Sequence, residues 1–197
     1  MIAGIVPCSG ASARMGTPKA LLSIHGKIFV QAVVDALTAG GCEPVLCVVP
    51  NEPLITEAAR ATGARVLTNP HPGEGPITSM RLALSELVDA VEGVIYHSVD
   101  HPCVRAGTVA ALLEAARSTD AELVIPTNEG QRGHPSFFRE SLFRELTDPS
   151  LKGGARTVVH RHLDSAELIE VHDPGILLDI DTPAEYEAML AAGISSP

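Results

Sequence analysis

The 197-residue chain, 45% hydrophobic with a mean hydropathy of +0.20, has the apolar content of a globular protein with one buried core, not of a disordered chain. Its 24 Asp and Glu against 14 Lys and Arg give a net charge of −10, an average field that repels DNA or RNA and leaves only local cationic spots for small anions. The four cysteines (Cys8, Cys42, Cys47, Cys103) form no CxxC pair, no apolar run is long enough for a bilayer and the start lacks a basic leader. We therefore expect reduced thiols and a cytoplasmic protein with neither nucleic-acid nor membrane partners.

With 3% aromatic residues and no Trp, the core must be Leu, Val, Ile and Ala, which suits a parallel sheet buried on both faces. IAGIVP (residues 2–7) reads as a strand, followed by a loop rich in glycine, serine and cations. Phe29, Val30, Val33, Val34 and Leu37 mark a helix face that stops at Ala39–Gly41. PVLCVVP reads as a strand, Glu52 to Thr62 as a helix and ARVLTN as a strand. After the Gly/Pro-rich NPHPGEGPITS comes a helix carrying Met80, Leu84, Leu87, Val88 and Val91. GVIYHSVD reads as a strand, Val109, Leu112, Leu113 and Ala116 as a helix face and ELVIP as a strand. In the less regular last third, HPSFFR and ELIEV read as strands, ARTVVHRH as a short helix and PAEYEAMLAAG as a closing helix with Pro183 near its start.

This alternation implies parallel strands joined by right-handed crossovers. The expected architecture is α/β: a single doubly wound, mostly parallel, Rossmann-like sheet in one domain over 1–197. Residues 1–126 form its nucleotide-binding part, and 127–197 an acceptor-side extension with the closing helix. Ligands of such sheets sit beyond the carboxyl ends of the strands. Three groups fall there: the loop after the first strand, Asn69 to Ser79, and the segment Asp100 to Pro102.

In the first loop, Gly10 and Gly16 let the backbone approach a phosphate, Ser12 adds a hydroxyl, and Arg14 and Lys19 add charge just after the stiffening Pro18. That set complements a triphosphate. The spacing is neither a P-loop, since no Ser or Thr follows Lys19, nor the GxGxxG of dinucleotide folds. His97, His101 and the HRH at 160–162 invite a transition-metal reading, but their spacing does not converge without ligands from elsewhere. Most of the eight histidines therefore read as surface or satisfied residues.

GASARMGTPKALL resembles the G-x-S-x-R-M-G-x-x-K-x-L-L signature of the MobA-like nucleotidyltransferases. NPHPGEGPITS is similar to the N-P…G-x-x-x-S segment of that family, and VDHP to its D-x-P. QRGHPSFF resembles the R-G-H-P box of the branch containing molybdenum cofactor cytidylyltransferases. GGARTVV and LLDIDTPAEYEAML resemble the late pieces.

The resemblance implies a glycosyltransferase-A type nucleotidyltransferase fold and Mg²⁺-dependent transfer of NMP from an NTP to an acceptor phosphate, releasing pyrophosphate. CTP is favoured and GTP is the alternative, because VPCSG matches neither the guanine nor the cytosine pattern before the glycine. A molybdopterin-type compound is the implied acceptor, with a molybdoenzyme or chaperone as a further partner. Alternatives are a sugar-phosphate or phospho-acid acceptor, or a non-catalytic nucleotide binder.

It further implies Asp100 and Asp179 as Mg²⁺ ligands. Asp181 faces the same side as Asp179 if the DID is a strand, and otherwise caps the last helix. Lys19 would reach the α-phosphate and Arg14 the β- and γ-phosphates, so Lys19, Arg14 and Asp100 carry the chemistry. Pro7, Cys8, Ser9, Gly10, Ser12, Gly16, Asn69, Gly75 and Ser79 would surround the nucleotide, with the amides of Cys8, Ser9 and Gly10 facing the base. Arg132, His134 and Arg156 would grip the acceptor.

Overall fold

The computed structural model describes residues 1–8, 15–87 and 91–191. In chain order, strand β1 (Ile2–Pro7) leads to a 3-10 turn at Lys19–Leu21, the hairpin β2 (Ser23–Ile24) and β3 (Lys27–Ile28), and helix α1 (Phe29–Ala39). β4 (Val45–Val49), α2 (Pro53–Ala61), β5 (Arg65–Thr68), α3 (Pro76–Glu86), β6 (Gly93–Tyr96) and α4 (Ala106–Ser118) follow. The remainder comprises β7 (Leu123–Asn128), β8 (Gln131–Arg132), β9 (Ser136–Arg139), α5 (Phe143–Thr147), α6 (Ala155–His162), β10 (Glu167–Glu170) and α7 (Pro183–Ala191).

The main sheet runs β10-β7-β9-β6-β1-β4-β5, with β8 paired to β7. β1, β4, β5 and β6 are parallel neighbours, as are β7 and β10, while β9 is antiparallel to both β6 and β7. The sheet is thus α/β and mostly parallel, as expected. The order reverses at β1, whose partners are β4 on one side and β6 on the other, and that reversal opens a crevice at the carboxyl ends.

Alternation along the strands separates two cores. Val45, Cys47 and Val49 of β4 join Phe29, Val33 and Leu37 of α1, Ile55 of α2, Leu112 of α4 and Met189 of α7. Leu46 and Val48 face the other way, toward Met80 and Leu84 of α3, Leu142 and Leu146 near α5, and Val158 of α6. Helices therefore cover both faces, which is why these strands read as continuous apolar runs.

Several features differ from the sequence reading. The helix expected to carry Leu87 and Val91 ends at Glu86, with Leu87 already extended. GVIYHSVD is a strand only through Tyr96, so Asp100 lies in the following turn. LLDIDT is not a strand and pairs with no ladder, so the same-face argument for Asp179 and Asp181 does not apply. The β2–β3 hairpin, with positive φ at His25 (46°) and Gly26 (81°), had no strand signal because each arm is only two residues long.

Candidate active site

Lys19 arrives at the site through a tight turn. Pro18 O accepts from Leu21 N (2.9 Å) and Lys19 O from Leu22 N (3.0 Å), which fixes the start of its side chain. The residue is only 8% exposed. Its ammonium is paired with Asp181 and lies 3.7 Å from Oδ2 of Asp100. Asp100 itself follows β6, where His97 N continues the sheet pairing by donating to Ile5 O (2.9 Å).

The late segment reaches Asp100 by a series of backbone clips. Asp173, buried, accepts from Arg105 N (2.9 Å), Thr108 Oγ1 (2.6 Å) and Gly175 N (3.0 Å), stitching this segment to the start of α4. A side chain at Gly175 would strike the Cys103 carbonyl, so the two backbones can lie this close only with glycine. Ile180 N then donates to Asp100 O (3.0 Å). Farther on, Thr182 and Glu185 cap α7 reciprocally: Thr182 N donates to Glu185 Oε2 (2.7 Å) and Glu185 N to Thr182 Oγ1 (3.3 Å). Asp181 is therefore not the cap; its side chain is on Lys19.

Ligand atoms of Asp100, His101 and Asp179 all lie within 4.8 Å of one another. Asp179 reaches the surface, but partial desolvation of its carboxyl, and then the like charges of Asp100 and Asp181, push its pKa up to about 6. Oδ1 of Asp100 is buried and accepts no hydrogen bond from any described residue. Three carboxylates around one lysine, with an orphaned buried oxygen, fit a divalent cation.

The histidines nearby are not the bland surface residues expected. His97 is fully buried with neither ring nitrogen hydrogen-bonded, and burial, then His101 and His134, hold it well below the usual histidine value. His101 is lowered by burial, against the pull of Asp100. The rings of His101 and His134 meet at 4.5 Å, tilted by 35°. The HRH segment is different: His162 sits between Glu145 (2.8 Å) and Glu122 (3.3 Å) by opposite ring nitrogens, and Arg161 pairs with Glu145 (2.6 Å). Arg161 and His162 thus serve contacts to Glu145 and Glu122, while His160 meets Arg156.

Around the nucleotide side, Ser9, Gly10, Ser12 and Arg14 lie outside the described residues. Gly16, at φ 67°, is in a conformation that favours glycine. Pro7 ends β1 beside Val48, and Cys8 N donates to Val48 O (2.8 Å), so the Cys8 amide is engaged in the sheet rather than offered to a base. Asn69, 2% exposed, is engaged within its own loop. Its amide donates to Thr78 Oγ1 (2.8 Å) and Ser79 Oγ (3.2 Å), and its oxygen accepts from His71 N (2.8 Å). It clasps the loop shut over Ser79. Gly75, at φ 96°, starts α3 just ahead of Pro76.

Gly75 also lines a cleft of about 1160 Å³, together with Arg132, His134, Gly154 and Arg156. The three residues expected on the acceptor thus share one space, although they come from two separate segments. The R-G-H-P loop is fixed by two bonds, Gly133 N to Pro126 O (2.9 Å) and His134 N to Ile176 O (2.9 Å). A Cβ on Gly133 would overlap the Ile176 backbone. His134 lines the cleft and stacks on His101, so the cleft abuts the carboxylate cluster. Asp173, which sequence reasoning missed, had one available signal: the turn-forming D-P-G at 173–175.

Residues 4–166 match the MobA-like NTP transferase domain family. The chain belongs to this family. It is a nucleotidyltransferase, and its α/β fold is shared with solved structures. A probable molybdenum cofactor guanylyltransferase of Mycobacterium avium is 29% identical over 97% of this chain and 96% of its own. A nicotine blue oxidoreductase of Paenarthrobacter nicotinovorans is 26% identical over 96% of each. The crystal structure of Rv0371c from Mycobacterium tuberculosis superposes with a TM-score of 0.81 at 27% identity, over 96% of this chain and 97% of that one. The same protein, also solved with manganese, superposes at 0.78 and 24%, over 97% of this chain and 98% of that one. No described helix of this MobA-like protein is long and apolar enough to cross a membrane.

Proposed function

We propose that this MobA-like transferase moves a nucleoside monophosphate from CTP to the terminal phosphate of a molybdopterin-type acceptor and releases pyrophosphate. The observation that carries the reading is convergence. Lys19 after β1, Asp100 after β6 and Asp179 before α7 meet beside the cleft that holds Arg132, His134 and Arg156. The resemblance of the R-G-H-P box supports CTP and molybdopterin. The guanylyltransferase names of relatives favour GTP as the second reading.

In this reading an acceptor phosphate oxygen forms a bond to the α-phosphorus as the bond from that phosphorus to the β-bridging oxygen breaks. An acceptor phosphate is largely ionised near neutral pH, so no general base is required. Arg132 and Arg156 would hold the acceptor in line, each by charge-assisted hydrogen bonds. Lys19, fixed at its base by the turn, would leave the carboxylates to meet charge growing on the α-phosphate, and Arg14 would hold the outer phosphates. Asp100 and Asp179 would hold Mg²⁺, which when bound neutralises charge between the α- and β-phosphates.

The test is to incubate the full chain, Mg²⁺ and metal-loaded molybdopterin with each NTP and to measure pyrophosphate. CTP-dependent release with formation of the cytosine dinucleotide supports the reading. Release with GTP alone overturns the base assignment. Release with other phosphorylated acceptors but not molybdopterin overturns the acceptor.

A further inference from the structure

We propose that His101 is the third protein ligand of the divalent-cation site, and that its nitrogen makes the site take Mn²⁺ in preference to Mg²⁺. The inference rests on the metal-site reading above and deepens it, since the sequence reading assigned the ion to carboxylates alone.

The geometry is that of a pre-formed ligand set. Donor atoms of Asp100, His101 and Asp179 lie within 4.8 Å of one another, and His101 Nε2 is 3.8 Å from Asp100 Oδ1. Those separations are too long for hydrogen bonds and at their widest slightly exceed the spacing of atoms that share an ion a little over 2 Å from each, so a small inward movement of the side chains would close them on one ion. His101 is 6% exposed, and its Nδ1 is buried without a hydrogen-bond partner. Asp100 Oδ1, which faces the other ring nitrogen, Nε2, is likewise buried and orphaned. A buried carboxylate oxygen left unmet beside that nitrogen costs free energy unless something between them supplies the missing interaction.

The ring is held in place, with the Leu178 backbone as its polar neighbour on the protein side. His134 stacks on one side of it at 4.5 Å. Its backbone is held by the turn bond from His101 N to Ser98 O (3.3 Å), and the adjoining Asp100 by Ile180 N. Lys19 and Asp181 pair on the other side of Asp100, at Oδ2, which leaves Oδ1 toward His101. His97 and His134 lie outside the ligand set.

The ligand chemistry follows. Mg²⁺ is a hard ion that takes oxygen almost exclusively and gives up water reluctantly. A neutral imidazole among two carboxylates shifts preference toward first-row divalent ions, and Mn²⁺ combines that tolerance of nitrogen with an affinity for the carboxylate and phosphate oxygens also present.

Mn²⁺ binding to the full chain, without nucleotide, tests this by pulsed electron paramagnetic resonance and by titration of free Mn²⁺. The expected spectrum shows direct ¹⁴N coupling that becomes ¹⁵N coupling when histidine alone is ¹⁵N-labelled. In His101→Asn the coupling disappears, Mn²⁺ affinity falls about tenfold or more and Mg²⁺ affinity, measured by displacement, changes by less than about threefold. If that variant does not fold, the labelled wild-type spectrum still decides. A wild-type spectrum with oxygen ligands only overturns the role of His101 and leaves the carboxylate site standing. Nitrogen coupling that persists in His101→Asn overturns it equally. Failure of Mn²⁺ to bind the wild type at all overturns the metal site as a whole.

Discussion

The first two-thirds of the chain and the last third build the same site by different means. From β1 to β7, regular βα units place Lys19 and Asp100 in the connections that follow β1 and β6, on the side where parallel topology predicts a ligand. From β8 onward, position depends on single contacts instead. Gly133 passes against Ile176, Asp173 ties the late segment to α4, Gly175 passes against Cys103, and Tyr186 docks α7 on the hairpin by donating to Ser23 O (2.7 Å). The scaffold half can tolerate changes that keep its hydrophobic pattern, whereas the late third has little redundancy. Its few contacts bring Asp179, His134 and Arg132 to residues fixed by the sheet.

Breaking the scaffold side of the site has the largest expected effect. Asp100→Asn should lower turnover by about 10²–10³-fold with the fold intact, as steady-state kinetics and circular dichroism will show. Lys19→Ala should lower kcat by about 10–100-fold with little change in the KM for NTP, because its contact strengthens in the transition state. An equal effect on both constants would place Lys19 in ground-state binding instead.

On the late-third side the effects should be smaller and differently distributed. Arg156→Ala should raise the acceptor KM about tenfold, consistent with one charge-assisted hydrogen bond, and leave NTP binding unchanged. Gly133→Ala should destabilise the protein by about 1–3 kcal/mol by thermal melting, since its methyl group would collide with backbone rather than with a movable side chain. The smallest change concerns charge. Asp179 has a raised pKa in the folded protein, so its ionisation works against the metal-free fold; the cost grows as pH rises from the unfolded value of 3.8 through about 6 and is absent below 3.8. Asp179→Asn should therefore raise the stability of the metal-free protein at pH 8 by less than about 1 kcal/mol, and by less still at pH 5. Added divalent cation should reverse the sign.

The same contrast governs what could be read in advance. β1, α6 and the apolar faces of α1 and α4 were legible because buried strands and amphipathic helices impose a period on the sequence. Lys19 was legible in the composition of its loop, and Asp100, Asp179, Arg132, His134 and Arg156 through the resemblance. The roles of Asn69 and the Cys8 amide were not, because each depends on whether a polar group already has a partner in the fold. His101 was considered for a transition metal and set aside, for the opposite reason. One histidine in a turn carries no period, and only the folded chain brings Asp179 beside it.

The central claim is that a nucleoside triphosphate lies between Lys19 and the Asp100–Asp179 pair with its α-phosphorus toward the Arg132–Arg156 cleft. Crystallography of the chain with Mn²⁺ and a non-hydrolysable CTP analogue, using the anomalous signal of the ion, tests this directly. The account predicts one ion on Asp100 and Asp179, Lys19 drawn from Asp181 to the α-phosphate, and the cytosine at the carboxyl end of β1. A nucleotide bound with its phosphates away from Asp100, or an ion elsewhere on the surface, would contradict it.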